Sequence, residues 1–195
     1  MPTSAVRPNQ RERILDAALA LMAEHGSAGT SMRMLARACD LNVAAIYHYF
    51  PSKDALLAAV IDERRYEARL AEIPDLSPDL PAAERLAQIY RTVWAGALAE
   101  EPVWRLLLGE GIRGEEAALP VGRSLLEVFG PGLAGWIAAT VPEVIDPGAV
   151  AEVVIGQLFA GFVRHIFEPD RPLAELEDAG AAAVIGAVLP GPTGA

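Results

Sequence analysis

The chain has 195 residues, 52% of them hydrophobic, a formal net charge of −10, one cysteine and three histidines. This length suits one large domain, or a small one joined to a larger one, with apolar surface enough for a proper core. Cys39 alone excludes an internal disulfide, His25, His48 and His165 are too scattered for a zinc site, the N-terminus lacks the apolar stretch of a signal peptide, and the uncharged run from Val128 to Pro142 is too short to span a bilayer.

The expectation is therefore a soluble, cytoplasmic protein with no membrane segment, metal or cofactor. Its charge is unevenly spread. Residues 1–53 hold six basic groups (Arg7, Arg11, Arg13, Arg33, Arg37, Lys53) against four acids (Glu12, Asp16, Glu24, Asp40), a net of +2, while the remainder holds ten basic groups and twenty-two acids, a net of −12. A mildly basic head on a strongly acidic body leaves nucleic-acid binding open to the head alone. Lys53 is the only lysine; the other fifteen basic residues are arginines.

In chain order, Asn9 and Glu12 have capping-box spacing, and Ile14, Leu15, Ala18, Leu21 and Met22 share one face of the helix that follows. That helix should stop at "EHGSAG", with Gly26 in the left-handed C-terminal turn. Ser31 caps a second helix with Leu35, Ala36 and Cys39 inward; Asn42 caps a third, from Val43 to about Tyr49; Pro51 ends it and Ser52 caps a fourth. A long helix followed by two short ones across a four-residue turn is the helix-turn-helix pattern. "EIPDLSPDLP" (72–81) reads as a connection. Helices are then expected over 81–101, 102–116, 120–140 (with a break near Gly130–Gly132), 147–168 and 172–189, with prolines at 81, 102, 120, 147 and 172 near their starts.

At 100° per residue, Val43, Ile46 and Phe50 fall on one side of the third helix and Ala44, Ala45, His48 and Tyr49 on the other, with Tyr47 at the apolar edge. Two small residues at the exposed start let a helix approach a surface closely. In a DNA major groove an alanine can meet a thymine methyl and a histidine can donate to a base edge or a phosphate. Ser52, Lys53 and the start of the fourth helix offer N–H groups and a charge to phosphate.

The stretch from Arg11 to Ile61, with "ILDAAL", the glycine that ends its helix, Ser31, "LA" at 35–36 and "IYHYFPSK", resembles the DNA-binding region of the TetR family of bacterial transcriptional regulators. The resemblance implies an all-α fold: a three-helix DNA-binding head (1–55), then an antiparallel helical ligand-binding and dimerisation body (56–195). It implies that Ser31 and Arg33 open the helix lying across the DNA backbone. It places Ala44 and Ala45, just after the cap Asn42, at bases, Tyr47 and Tyr49 at phosphates or base edges beside His48, and Lys53 at phosphate. The sequence departs from the family in two places. Cys39-Asp40 stands where the turn usually carries Ala-Gly, and the recognition helix lacks polar residues at its start, which moves weight from base readout toward DNA shape.

The body offers Tyr90, Trp94, Trp104, Trp136, Phe159 and Phe162 for an aromatic-lined pocket, with Arg105, Glu110, Arg113 and His165 as polar contacts. Tyr90, Trp94, Trp104, Arg105, Phe159 and Phe162 are the candidate ligand residues. The family implies a small apolar or amphipathic effector whose binding releases a double-stranded DNA operator. The helix at 147–168 has two apolar faces. One carries Ala149, Val153, Gly156, Ala160, Val163 and Phe167 and is suited to the same helix of a second subunit. The other carries Ile155, Leu158, Phe159, Phe162 and Ile166 and is suited to the chain's own body. Leu176, Gly180, Ala183 and Ala187 form a similar stripe on the last helix, so a four-helix homodimer interface is expected. A rival reading rests on "GEGIRG" (109–114) and "GPGLAG" (130–135), which match G-x-G-x-x-G but lack the strand that a dinucleotide site needs. The sequence therefore reads as a homodimeric regulator, a ligand-released repressor with an activator of the same fold as the alternative, and not as an enzyme.

Overall fold

The fold was obtained as a computed structural model that describes residues 9–62 and 66–189. It is helical, with no strand among the described residues. The elements are α1 (Gln10–Gly29), α2 (Met32–Ala38), α3 (Val43–Tyr49), α4 (Lys53–Asp62), α5 (Tyr66–Ala71), α6 (Ala82–Ala99), α7 (Glu101–Arg113), α8 (Ala118–Thr140), α9 (Pro147–Phe167) and α10 (Leu173–Val188). They group into two compact units. One holds residues 9–62 and 100–124, the other 66–99 and 125–189. The grouping differs from the sequence boundary at 55/56: α4 and α7 pack on α1 and belong to the first unit. Only a tertiary contact could reveal this, because α7 lies far along the chain.

The first unit is built on its caps. The Asn9 side chain accepts from the Glu12 N–H at 2.9 Å and Glu12 returns a bond from the Asn9 N–H, also 2.9 Å. Ser31 accepts from the Met34 N–H at 3.2 Å, Asn42 from Ala45 at 2.7 Å and Ser52 from Ala55 at 3.0 Å. Each bond satisfies a helix-end donor that would otherwise lack a partner. Ile14, Leu15, Ala18 and Met22 of α1 are buried, as are Leu35, Ile46, Phe50, Leu56 and Leu57, so the short helices are stabilised by α1 rather than by their own length. Gly26 corrects one expectation. It has φ 72 but ψ 165, a positive-φ conformation that suits glycine yet lies outside the left-handed helical turn, and helix resumes beyond it to Gly29. The Thr30 hydroxyl donates to the Gly26 carbonyl at 2.9 Å and secures that kink.

The second unit packs α6, α8, α9 and α10 around Leu86, Ile89, Tyr90, Trp94, Leu133, Ile137, Val154, Leu176 and Val184. Arg85 is buried at its edge and donates to the carbonyls of Leu80 (3.0 Å) and Thr140 (2.6 Å) and to the Glu143 carboxylate. The expected break near Gly130–Gly132 is absent: α8 is continuous, with Pro131 inside it. An interior proline costs ~3 kcal/mol. Burial of Leu133, Trp136 and Ile137, and the bond from Trp136 Nε1 to the Leu70 carbonyl (2.7 Å), hold the helix through it. Among the described helices α9 alone has the length and apolarity to cross a membrane; in its unit it packs on α10 and α6.

Candidate nucleic-acid interface

The turn between α2 and α3 is closed by two reversed bonds, Leu41 N–H to the Ala36 carbonyl (2.8 Å) and Asp40 N–H to Arg37 (3.2 Å). This is the Schellman arrangement, which needs a positive φ at the residue after the cap. Asp40 supplies it, with φ 55, where glycine is the usual choice. Cys39 is buried behind the turn, and burial raises its thiol pKa against a smaller opposing effect from Arg13.

On α3, Ile46 and Phe50 are buried and hold the helix, while Ala44, His48 and Tyr49 are exposed. Tyr47, expected to pack its ring at the apolar edge, is 50% exposed, and Tyr49 is 41% exposed. Ala45 is half-buried. The His48 and Tyr49 rings meet edge to face at 5.6 Å, so each limits the other's rotamers. Ser31 and Arg33 are exposed at the start of α2. The exposed side of α3 thus presents a small start and an aromatic, hydrogen-bonding end, the profile expected for contact with a DNA groove.

Lys53 opens α4 and donates from Nζ to the Ser27 carbonyl at 2.8 Å. Sequence reasoning missed Ser27. Its N–H and hydroxyl donate to Glu110 Oε1 (3.1 Å) and Oε2 (2.6 Å), and Arg113 donates to the same carboxylate. Glu110 is 1% exposed. Burial pushes its carboxyl pKa up, but the two Ser27 bonds and Arg113 outweigh it and hold the group below the usual carboxylate value. No local sequence pattern marks a pair 83 positions apart.

The candidate ligand residues are not brought together in one unit. Trp104 and Arg105, with Glu110 and Arg113, lie on α7 in the first unit, and Arg105 pairs with Glu101 at 2.5 Å. Tyr90, Trp94 and Phe162 are buried in the second unit. The Tyr90 and Trp94 rings stack at 6.4 Å and 9°, and neither Tyr90 Oη nor Trp94 Nε1 has a hydrogen-bond partner among the described residues. Burial, reinforced by Glu177 and opposed by Arg164, pushes the Tyr90 hydroxyl pKa up to about 12. Two surface concavities, of about 410 and 470 Å³, flank Ser27 and Glu110 instead and include none of these aromatics. "GEGIRG" ends α7 and "GPGLAG" lies inside α8, so neither follows a strand.

The dimerisation stripe needs correction on α10 alone, at Leu176 and Gly180. Gly156 and Phe167 of α9 and Ala183 of α10 are exposed, and Val153, Ala160 and Val163 are half-buried. Leu176 and Gly180 are buried in their own unit: a methyl group on Gly180 would lie 1.9 Å from Tyr90 Oη. The exposed side of α10 is turned toward Ala182, Ala183, Gly186 and Ala187. Phe159, assigned to the body-facing side, is 53% exposed, because the helical projection puts it at the border of the two faces.

Residues 14–60 match the profile of the bacterial regulatory proteins of the tetR family. The chain is 31% identical, over 192 residues covering 80% of it and 95% of the relative, to an uncharacterized HTH-type transcriptional regulator from the dhlA 5′ region of Xanthobacter autotrophicus. It is 26% identical to the HTH-type transcriptional repressor KstR of Rhodococcus jostii, covering 84% of this chain and 77% of that one. Its fold is similar to that of the transcriptional regulator FadR from Bacillus subtilis in complex with stearoyl-CoA, with a TM-score of 0.63, 16% identity and coverage of 91% and 98%.

Proposed function

The chain belongs to the tetR family of bacterial regulatory proteins, and on that premise we propose that it binds a palindromic operator as a homodimer, represses transcription there, and is released by a small apolar or amphipathic effector. The observation that carries the reading is α3: buried Ile46 and Phe50 hold it, and Ala44, His48 and Tyr49 stand free on the other side. Arg33 and Lys53 are the phosphate contacts in this reading. The second unit takes the effector and the second copy. Tyr90 Oη and Trp94 Nε1 support an effector with polar atoms beside its apolar body. The relative named as a repressor favours repression over activation, and the FadR complex with stearoyl-CoA makes that compound the first effector to try.

The test is selection of DNA fragments from the organism's own genome by the purified chain. An enriched inverted repeat, bound by a dimer and lying over a promoter, is the expected result. Enrichment of no sequence, or of one without two-fold symmetry, overturns the proposal.

A further inference from the structure

We propose that Glu110 is a positioning residue for DNA binding: through Ser27 it fixes the carbonyl that holds the Lys53 ammonium in place for a DNA phosphate. The inference rests on the regulator reading above and adds a route by which α7 governs the DNA contact.

The geometry is a chain of bonds on three helices of one unit. Glu110 of α7 grips Ser27 at both its N–H and its hydroxyl, at 3.1 and 2.6 Å. Two bonds to one carboxylate fix the orientation of the residue, which follows Gly26 and its φ of 72. The Ser27 carbonyl then accepts from Thr30 N–H at 3.2 Å and from Lys53 Nζ at 2.8 Å. An ammonium has three N–H groups, so one bond to Ser27 leaves two for a phosphate oxygen. A lysine stem is rich in rotamers, and freezing it on binding is costly. Here the carbonyl restrains the stem before DNA arrives.

This arrangement also accounts for a lone lysine among fifteen arginines. A compact ammonium can serve a carbonyl and a phosphate at once, whereas a planar guanidinium favours a two-pronged partner. Because Glu110 sits on α7, a shift of α7 against α1 displaces Ser27 and slackens Lys53. A purely structural Glu110–Ser27 pair would have no reason to act through that lysine.

The test is a double-mutant cycle on the selected operator. Ser27→Ala removes the 2.6 Å bond and spares the backbone. It is expected to weaken binding about threefold to tenfold, which is ~0.7–1.4 kcal/mol. In a Lys53→Ala background the same change is expected to weaken binding less than about twofold, because the two residues act as one. Ser27→Thr, which keeps the hydroxyl, is expected to restore affinity. Equal weakening in both backgrounds, or none in either, overturns the inference. Should Ser27→Ala fail to fold, the native chain still decides. Reductive methylation with ¹³C labels Lys53 as the only side-chain amine, and keeps its charge. A restrained Lys53 signal supports the tether, and one as mobile as free lysine overturns it. A native chain that selects no DNA overturns the regulator reading and this inference together, whereas additive mutant effects on a bound operator overturn the inference alone.

Discussion

Substituting alanine for Gly180 puts the packing of the second unit to a severe test. A methyl group there would lie 1.9 Å from Tyr90 Oη, 2.2 Å from Cζ and 2.8 Å from Cε1, well inside contact distance. The ring cannot yield easily, since Tyr90 is fully buried and stacked on Trp94. Alanine gains ~0.8–1.0 kcal/mol over glycine in a helix interior. Overpacking a close-fitted core costs ~1–3 kcal/mol, and with three ring atoms overlapped the upper part of that range applies. The net expectation is a loss of about 1–2 kcal/mol. Gly135→Ala is the control: it lies on α8, is exposed, and meets nothing within 4 Å, so the same change there should gain about 1 kcal/mol. Tyr90→Leu shortens the side chain below all three overlapped atoms, and Gly180→Ala in that background should lose its penalty. Urea unfolding followed by circular dichroism measures each variant, at one fixed protein concentration because the proposed dimer would contribute to stability. A Gly180→Ala variant as stable as the native chain would refute the packing of α10 against Tyr90.

Four other outcomes are expected. Asp40→Gly should stabilise the chain by ~0.5–1 kcal/mol in the same assay, since the positive φ suits glycine better and only the looser unfolded chain opposes the gain. Ala160→Arg should give a folded, helical monomer or a badly weakened dimer without operator affinity; a soluble mutant that stays fully dimeric in analytical ultracentrifugation removes α9 from the interface. Arg33→Ala and Lys53→Ala should each flatten the fall of operator affinity with rising salt, because fewer counterions are released; an unchanged slope takes both residues off the phosphates. Glu110 has a lowered folded-state pKa, so its contribution is present above its ordinary value of 4.5 and is lost as pH falls below it. Glu110→Gln should therefore show a flatter decline in stability below pH 4.5, and an acid limb as steep as the native one would assign that decline to other groups.

What the sequence made legible was local. The caps at Asn9, Ser31, Asn42 and Ser52 are set by side chains within three positions of the groups they serve, so spacing alone reveals them. The buried pair Ile46 and Phe50 likewise follows from one helix's periodicity. What stayed hidden was non-local. Nothing near Ser27 announces Glu110, and nothing near Lys53 announces the Ser27 carbonyl. Pro131 looked like a break because its cost is local while the burial that overrides it comes from other helices. The stripe of Leu176 and Gly180 has the spacing of a packing seam, and it is one, but its partner is α6 of the same chain rather than a second copy. Periodicity finds a face and is silent about what covers it.

Helix α3 separates two duties that most short helices mix. Asn42, Ile46 and Phe50 determine whether it forms, and none of them needs to vary for the opposite side to change. Substitutions at exposed positions away from caps and core usually move stability by no more than ~0.5 kcal/mol. Ala44, His48 and Tyr49 can therefore be exchanged while the scaffold stays folded. On the proposed reading, a duplicated copy of such a gene could acquire a new set of controlled promoters through a few steps that leave stability unchanged, and an engineer could randomise the same three positions with little risk of losing the protein.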